Sequence, residues 1–418
     1  MKKIVIIGGG AAGLMAAVGA ANEMGNAPYS ITVIEKNSRP ARKVMITGKG
    51  RCNVTNNCDE NALISNTPKN GKFLYSAFSN FNSQDTMNFF EENGVPLKTE
   101  RGNRVFPVSD KSVDIVDTLV NVVRKKTQII EGEAQVILAP SGFVTAVKLA
   151  DGKIIDADSV IVATGGMSYP TTGSTGDGYR MAKALGHTVT NLTPSLVGLE
   201  CHEGFCTRLA GLSLKNVTLS VFEEGKKKPL YKEMGEMLFT HTGISGPLTL
   251  SASAHLRYME KKNYFAEIDL KPALDEVQLD KRLLRDFEES LNRDFANSLD
   301  KLLPKSIIPV IINMSGIAPH TKVNQISREQ RTALINAIKH FKLSITGFRP
   351  IEEAIITSGG ISVKEIDPAT MMSKLIGGLF FAGEVIDVDA YTGGFNLQIA
   401  FSTGVLAGEN AARYEREV

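Results

Sequence analysis

The 418-residue sequence has no tryptophan, four cysteines and six histidines, and its 47 basic residues against 45 acidic ones leave a net charge of only +2. Each scarcity excludes something. A charge so close to balance argues against the extended basic footprint of a nucleic-acid partner. Cys52, Cys58, Cys201 and Cys206 lack the spacing of a zinc site, and four cysteines in so long a chain make no disulfide framework. The expectation is no bound metal and a reducing, cytoplasmic setting. Met1-Lys2-Lys3 and the apolar run behind it imitate a secretory signal, but three glycines break that run after a β-branched stretch, which suits a strand and turn better. No membrane contact is expected, and the oligomeric state is left open. Apolar material is plentiful: 43% of residues are hydrophobic and 22% charged, enough for a large core and more than one domain.

The broken run is informative. "KIVII" reads as a strand, Gly8, Gly10 and Gly13 form G-x-G-x-x-G, and a helix opens at Ala11 and Ala12. A second strand, "ITVIEK", ends at Glu35 and Lys36, about twenty residues on. Gly8 permits the tight turn, Gly10 lets backbone approach a pyrophosphate, Gly13 allows close helix packing, and the helix N-terminus offers free N–H groups. Glu35 is placed to accept hydrogen bonds from an adenosine ribose. Strand, motif, helix, strand and terminal acid together predict a dinucleotide site.

No second G-x-G-x-x-G follows with its own strand and helix, so no separate nicotinamide domain is expected, and other features suit FAD. One strand runs from about Asp158 to Ala163 into Thr164-Gly165-Gly166, and another, Leu379 to Ala382, opens at Gly383 and Glu384. Small residues there let backbone come close to a ring, and Asp387 is expected to hold a ribityl hydroxyl. Gly393-Gly394 then turns into a helix whose first residues, Phe395, Asn396 and Leu397, would face the pyrimidine edge and favour negative charge on it. Ala400, Gly404 and Gly408 on the same helix read equally as a packing face.

"GKGRCNVTN" (Gly48 to Asn56), "GGMSYPTTGSTGDGY" (Gly165 to Tyr179), "LFTHTGISGP" (Leu238 to Pro247) and "FAGEVIDVDAYTGGFNLQIAFSTG" (Phe381 to Gly404) stand in this order, and with them the chain resembles the bacterial HI0933-like flavoproteins over essentially its whole length. That resemblance implies bound FAD and a cofactor domain completed by the C-terminus. It implies an α/β fold, a Rossmann-like FAD-binding domain with an inserted β-barrel carrying a helical subdomain. It also brings members described as aminoacetone oxidases and as reductases of conjugated bile-acid alkenes. One departure is Met24, which stands where the usual flavoprotein pattern has a further glycine, with Gly25 next.

In this frame "KVMITGKGRCNVTN" is expected to be the wall of the flavin site. Arg42 and Lys43 bring positive charge near the pyrophosphate, Gly48 and Gly50 leave bare backbone near the ring, and Arg51, Cys52 and Asn53 sit beside it. Asn53 is expected to hydrogen-bond the ring, and Cys52 reads best as a buried, inert thiol without a C-x-x-C partner. By likeness to other two-dinucleotide folds, backbone near Val136 is a candidate adenine contact.

Strand-like runs from Ser195 to Leu270 suit a small barrel, and Leu279, Leu283, Phe287, Leu291, Phe295 and Leu299 then recur every four residues as an amphipathic helix. The expected boundaries are 1–190 and 358–418 for the cofactor domain, 191–273 and 342–357 for the barrel, and 274–341 for the helical insert. For chemistry, His241 at a strand-to-turn junction is the candidate proton donor. Ser245 has no visible base, which excludes acyl transfer. Asp177 reads as a helix cap. Its segment is similar to flavoproteins of the fumarate reductase type, although the Arg and His that hold a dicarboxylate there have no counterpart here. Three functions follow: an FAD-dependent reductase of an activated C=C bond in a small molecule with electrons from NAD(P)H, an FAD oxidase of a small amine, and a non-catalytic flavin carrier.

Overall fold

The computed structural model describes residues 1–416. These fall into two compact units, Met1–Ser195 with the segment from Ile351 onward, and Leu196–Pro350.

The first unit is built on a five-stranded parallel sheet of Lys2–Ile7 (β1), Tyr29–Glu35 (β2), Gln128–Glu131 (β3), Ser159–Val162 (β4) and Leu379–Phe381 (β5), in the order β5-β4-β1-β2-β3. Ile4, Ile6, Val33, Val160, Ile161, Leu379 and Phe381 have essentially no exposed surface, as expected for strands covered on both faces. Register brings the carboxyl ends together, with Ile7 opposite Ile34 on one side and Val162 on the other, and Val162 opposite Phe381. That shared edge is where an open parallel sheet accepts a ligand.

Two helices pack on this sheet through glycine. The helix Ala11–Met24 (α1) meets the closing helix Phe395–Arg413 where a Cβ on Gly19 would stand 2.6 Å from the Val405 carbonyl oxygen, and one on Gly404 would stand 2.4 Å from that of Ala12. The two backbones therefore lie closer than side chains allow. Gly25 follows Met24 directly as the C-cap of α1, so the departure from the flavoprotein pattern coincides with the end of the helix.

The second unit is a closed six-stranded barrel of Leu199–Cys201, Gly243–Ser245, Tyr231–Phe239, Ser213–Glu223, Tyr264–Asp269 and Phe341–Phe348. Alternation such as Tyr264, Ala266 and Ile268 inward with Phe265 and Glu267 between them fills its interior. The helices Glu276–Glu288, Ile308–Ser315 and Arg328–Lys339 contribute Leu279, Phe287, Ile311 and Leu334 to the same core as Leu219 and Phe341. The barrel and helical segment, expected as separate subdomains, are thus one unit.

Two expectations need correction. Residues 191–195 and 351–357 belong with the first unit, because Ile356–Ser358 pairs antiparallel with Thr193–Ser195. The four-residue stripe does not make one helix from Leu279 to Leu299: the helix ends at Glu288, Leu291 is 50% exposed, and Phe295 is buried in a separate short turn. Asn297 and Ser298 favour turns over helix interior, and burial of Phe295 and Leu299 proceeds without a continuous helix.

Candidate functional site

At the carboxyl edge of the parallel sheet lies a cavity with about 1260 Å³ of empty space, its mouth included. The glycine motif forms its floor, and each glycine has its own reason. A Cβ at Gly8, whose φ is +106°, would stand 2.5 Å from the Ala163 carbonyl oxygen, and one at Gly13 would stand 1.9 Å from that of Gly8. A Cβ at Gly10 would meet nothing within 4 Å. Gly10 faces open space in the cavity wall, beside Ala11 and Ala12, and α1 begins there with neither a capping side chain nor an acid in its first turn. Unsatisfied N–H groups and the positive end of the helix dipole are therefore left for an anion.

Glu35 lines the cavity and is only 8% exposed. Its Oε2 accepts the Gly9 N–H at 2.9 Å, and its Oε1 accepts the N–H and Nδ2 of Asn37 at 2.8 and 2.7 Å. The carboxylate thus pins the glycine turn to the end of β2. Lys36, also in the lining, pairs with Asp177 at 2.7 Å. Burial works against the Asp177 charge, but hydrogen bonds from Lys36 and Thr175 outweigh it and hold the carboxyl below its usual range. Asp177 does not cap its helix as expected: Gly176 occupies the cap position, and the carboxylate turns to Lys36 instead.

A buried polar network forms another part of the wall. Lys43 Nζ lies 2.7 Å from Glu384 Oε2 and 2.7 Å from Ser168 Oγ. Glu384 Oε1 accepts Ser168 Oγ at 2.9 Å and the Thr357 N–H at 2.8 Å, and Thr357 Oγ1 accepts the N–H groups of Met167 and Ser168. Arg42 lines the cavity and donates to Asn37 Oδ1 at 3.1 Å. Ala163, Thr164 and Gly165 line it from β4, and the Oγ1 of Thr164 is buried with no hydrogen-bond partner among the described residues. Asn396 and Leu397 line it from the closing helix, where the Asn396 amide also accepts the Ala390 N–H and donates to its carbonyl.

Several expected contacts lie outside the lining, and the reasons are physical. Thr47 lines the cavity, but Gly48, Gly50, Arg51, Cys52 and Asn53 do not. Arg51 is held by Glu100 and Asp110 and stacks 4.2 Å over the Phe106 ring. The Asn53 amide, in the orientation its neighbours require, donates to the Thr55 and Val105 carbonyls and accepts the Gly394 N–H at 2.9 Å. Cys52 is fully buried outside the lining, and burial pushes its thiol up to about 12, which suits a thiol held protonated. The stretch is thus divided: Lys43, Val44 and Thr47 wall the cavity, while Asn53 braces the start of the closing helix.

Asp387 pairs with Lys69 at 2.5 Å and lies outside the lining. Gly383 and Gly394 serve close approach, since their Cβ atoms would stand 2.7 Å from Ala12 Cβ and 2.3 Å from the Thr55 carbonyl oxygen, and Phe395 is buried beside Gly393. Val136 is 43% exposed, because the register of Ala134–Leu138 shifts between Ala134 and Val136 and leaves Gly132, Glu133 and Ala134 in the lining. In the second unit, His241 is exposed in the turn between barrel strands, its carbonyl accepting Thr207 Oγ1 at 2.8 Å. Sequence reasoning missed Asn37, Ser168 and Thr357. Ser168 lies within a quoted family segment, whereas nothing near Thr357 marks it as a neighbour of Glu384.

The residues fit FAD on three counts: an anion cradle open at Gly10, a buried acid at the end of β2, and an unpartnered Thr164 hydroxyl in the wall. Fold and site together define an FAD-dependent oxidoreductase of Rossmann type. The chain belongs to the HI0933-like family, whose Rossmann-domain model matches residues 2–410. It is 32% identical over 419 residues to the 3-dehydro-bile acid delta(4,6)-reductase of Clostridium scindens, covering 99% of each chain. It is 30% identical over 423 residues to the ribosomal RNA dihydrouridine synthase of Haemophilus influenzae, covering 98% of each. Among solved structures, the quinol fumarate reductase flavoprotein of E. coli matches with a TM-score of 0.50 at 19% identity, covering 99% of this chain and 71% of that one. A relative named for ribosomal RNA means that a near-neutral charge does not exclude nucleic acid in this family. Among the described residues no helix is long and apolar enough to cross a membrane.

The Glu35 geometry yields a prediction. Glu35→Ala is expected to weaken FAD about tenfold more than FMN, the loss of roughly 1.5 kcal/mol for one hydrogen bond to a charged group, because only FAD carries an adenosine ribose. Equilibrium dialysis of both flavins measures it, and equal losses would contradict the assignment.

Proposed function

We propose that the protein is an FAD-dependent reductase of a carbon–carbon double bond conjugated to a carbonyl. The observation that carries this reading is full-length kinship to two differently named relatives that share one chemistry. A delta(4,6)-reductase of a 3-dehydro bile acid saturates bonds conjugated to a ketone, and dihydrouridine is uridine saturated at the C5–C6 bond beside the C4 carbonyl. In both, hydride adds at the carbon remote from the carbonyl, negative charge spreads to the oxygen, and a proton completes the product.

Reduced FAD supplies the hydride when bound. Gly10 and the first turn of α1 would hold its pyrophosphate, and Glu35 its adenosine ribose. Lys43, Ser168 and Glu384 fix a polar wall of the same cavity. The proposal assigns the proton to His241, whose ring is exposed to exchange with solvent, and NAD(P)H is the proposed electron donor.

The test is anaerobic. Flavin absorbance is followed while the holoprotein is reduced with NADPH and then mixed with a 3-keto-4,6-diene bile acid, or with a ribosomal RNA transcript carrying unmodified uridine. Stoichiometric reoxidation by either conjugated compound supports the reading. Reoxidation by oxygen alone, with aminoacetone as the reductant that works, transfers the protein to the amine oxidases. His241→Ala should slow reoxidation by substrate and leave flavin content unchanged.

A further inference from the structure

The balanced charge of the whole chain hides a local excess in the second unit. The run "KKKPLYK", Lys226 to Lys232, holds four lysines and no acid. It spans the tip of the hairpin between the barrel strands Ser213–Glu223 and Tyr231–Phe239, where Val221 stands opposite Tyr231. Beside that tip runs the turn leading into Tyr264–Asp269: the Glu224 N–H donates to the Asn263 carbonyl at 2.9 Å, and the Glu224 carboxylate accepts Asn263 Nδ2 at 2.9 Å. The turn adds Lys261, Lys262 and Tyr258, which is 67% exposed.

Alternation decides what the neighbouring barrel face presents to solvent. Val221, Tyr264, Ala266 and Leu343 are buried in the barrel, so Phe222, Phe265 and Lys342 point outward. Phe222 pairs with Phe265 across the strands, and the two rings stack in parallel, 5.0 Å between centroids and 8° between planes. Lys342 Nζ lies 4.1 Å from the Phe265 centroid. Ser220 and Ser344 stand outward in the same strands, and neither hydroxyl has a hydrogen-bond partner among the described residues. The charges around the rings differ in how they are paired. Glu223 is taken by Lys226 and Lys262 at 3.1 and 3.0 Å, and Glu267 faces His340 Nδ1 at 3.3 Å. Lys227, Lys228, Lys232, Lys261 and Lys342 are exposed and form no ion pair among the described residues.

We infer that this outer face of the barrel binds single-stranded RNA, its bases stacking against Phe222 and Phe265 and its phosphates meeting the five unpaired lysines. Single strands are held by basic side chains that track the backbone and by aromatic rings that take the bases. A duplex keeps its bases stacked inside and cannot use the rings. An acidic protein segment would answer the lysines but not the outward ring pair. The serine hydroxyls supply donors and acceptors for the 2′-hydroxyl, which separates RNA from DNA. The inference goes beyond the proposed reduction, because binding on this face needs neither flavin nor hydride.

The test is fluorescence anisotropy of labelled oligouridine with the full-length protein across a salt series. Binding should weaken as salt rises, with a slope of log Kd against log salt of about 0.7 per phosphate neutralised, or about 3.5 for five lysines. Lys227→Gln/Lys228→Gln, at exposed positions that leave the barrel intact, should weaken binding and lower that slope by about 1.4. Phe222→Leu keeps the apolar bulk and should weaken binding about fivefold to a hundredfold with the slope unchanged. Oligodeoxyuridine should bind about twofold to tenfold more weakly, the loss of one hydrogen bond. No binding at low salt overturns the inference, as does a Phe222→Leu protein that binds like the wild type. Displacement of the RNA by polyglutamate as readily as by unlabelled oligouridine transfers the face to an acidic protein partner. Equal competition by an RNA duplex, or equal affinity for oligodeoxyuridine, rejects single-stranded RNA as the occupant. Substrate turnover is not read, so a failure of the proposed activity leaves this result untouched.

Discussion

Gly408→Val is expected to strip the protein of flavin and to lower its stability by about 3 kcal/mol or more. A Cβ at Gly408 would stand 2.1 Å from the Ala16 carbonyl oxygen and 2.8 Å from the Ala20 nitrogen. Both are backbone atoms of α1, so no side chain can swing aside. Relief comes only by moving α1 or the closing helix, and both carry the cavity: Gly10, Ala11 and Ala12 at one N-terminus, Asn396 and Leu397 at the other. A shift large enough to admit valine spoils the anion cradle as well as the packing. Gly204→Ala supplies the contrast, since a Cβ there meets nothing within 4 Å and φ is −60°. Thermal unfolding and flavin absorbance on the same samples decide the matter. A Gly408→Val protein that keeps its colour and its melting temperature would refute the close helix contact.

Lys43→Met is expected to cost about 2–3 kcal/mol, below the full value for a buried pair because Lys43 and Glu384 retain 24% and 12% side-chain exposure. Methionine matches the apolar stem but withdraws the cation from Glu384 Oε2 and the donor from Ser168 Oγ. The carboxylate keeps its bonds from Ser168 and the Thr357 N–H and loses its counter-charge. Glu384→Gln in the same background removes the stranded charge, so the double variant should recover most of the stability lost by Lys43→Met alone. Denaturant melts of the two single variants and the double variant give the coupling energy directly. Simply additive losses would show that the pair is not a unit.

The parts of this site that could be read in the sequence are those built from chain neighbours. β1, the glycine turn, α1 and β2 lie within 34 residues, Lys2 to Glu35, so the glycines and their acid announce one another. The loop from Gly48 to Asn53 could not be read in the same way, because its partners are remote. Arg51 takes Glu100 and Asp110, and Asn53 takes Gly394, contacts that no local pattern signals. Asp387 likewise takes a partner remote in sequence, Lys69. Near Val136 the reason is different: one irregular residue in a strand changes which side chains face inward, and it is Glu133 and Ala134 that line the cavity. Leu291 failed for a third, since an apolar period continues in the sequence after the helix that created it has stopped.

The sheet's last strand and the closing helix bear on how the protein is made. α1 leaves the ribosome long before the helix that covers its glycine face, which begins at Phe395. At ordinary elongation rates the 370 residues between Met24 and Phe395 take on the order of 20–75 s to synthesise. Until that interval closes the cofactor unit lacks β5 or one wall of its cavity, while all of Leu196–Pro350 is made before both and has its own core. The unit that begins first therefore finishes last. Cofactor loading waits for the closing helix, and until it arrives the uncovered apolar face of α1 is a surface for chaperones to guard.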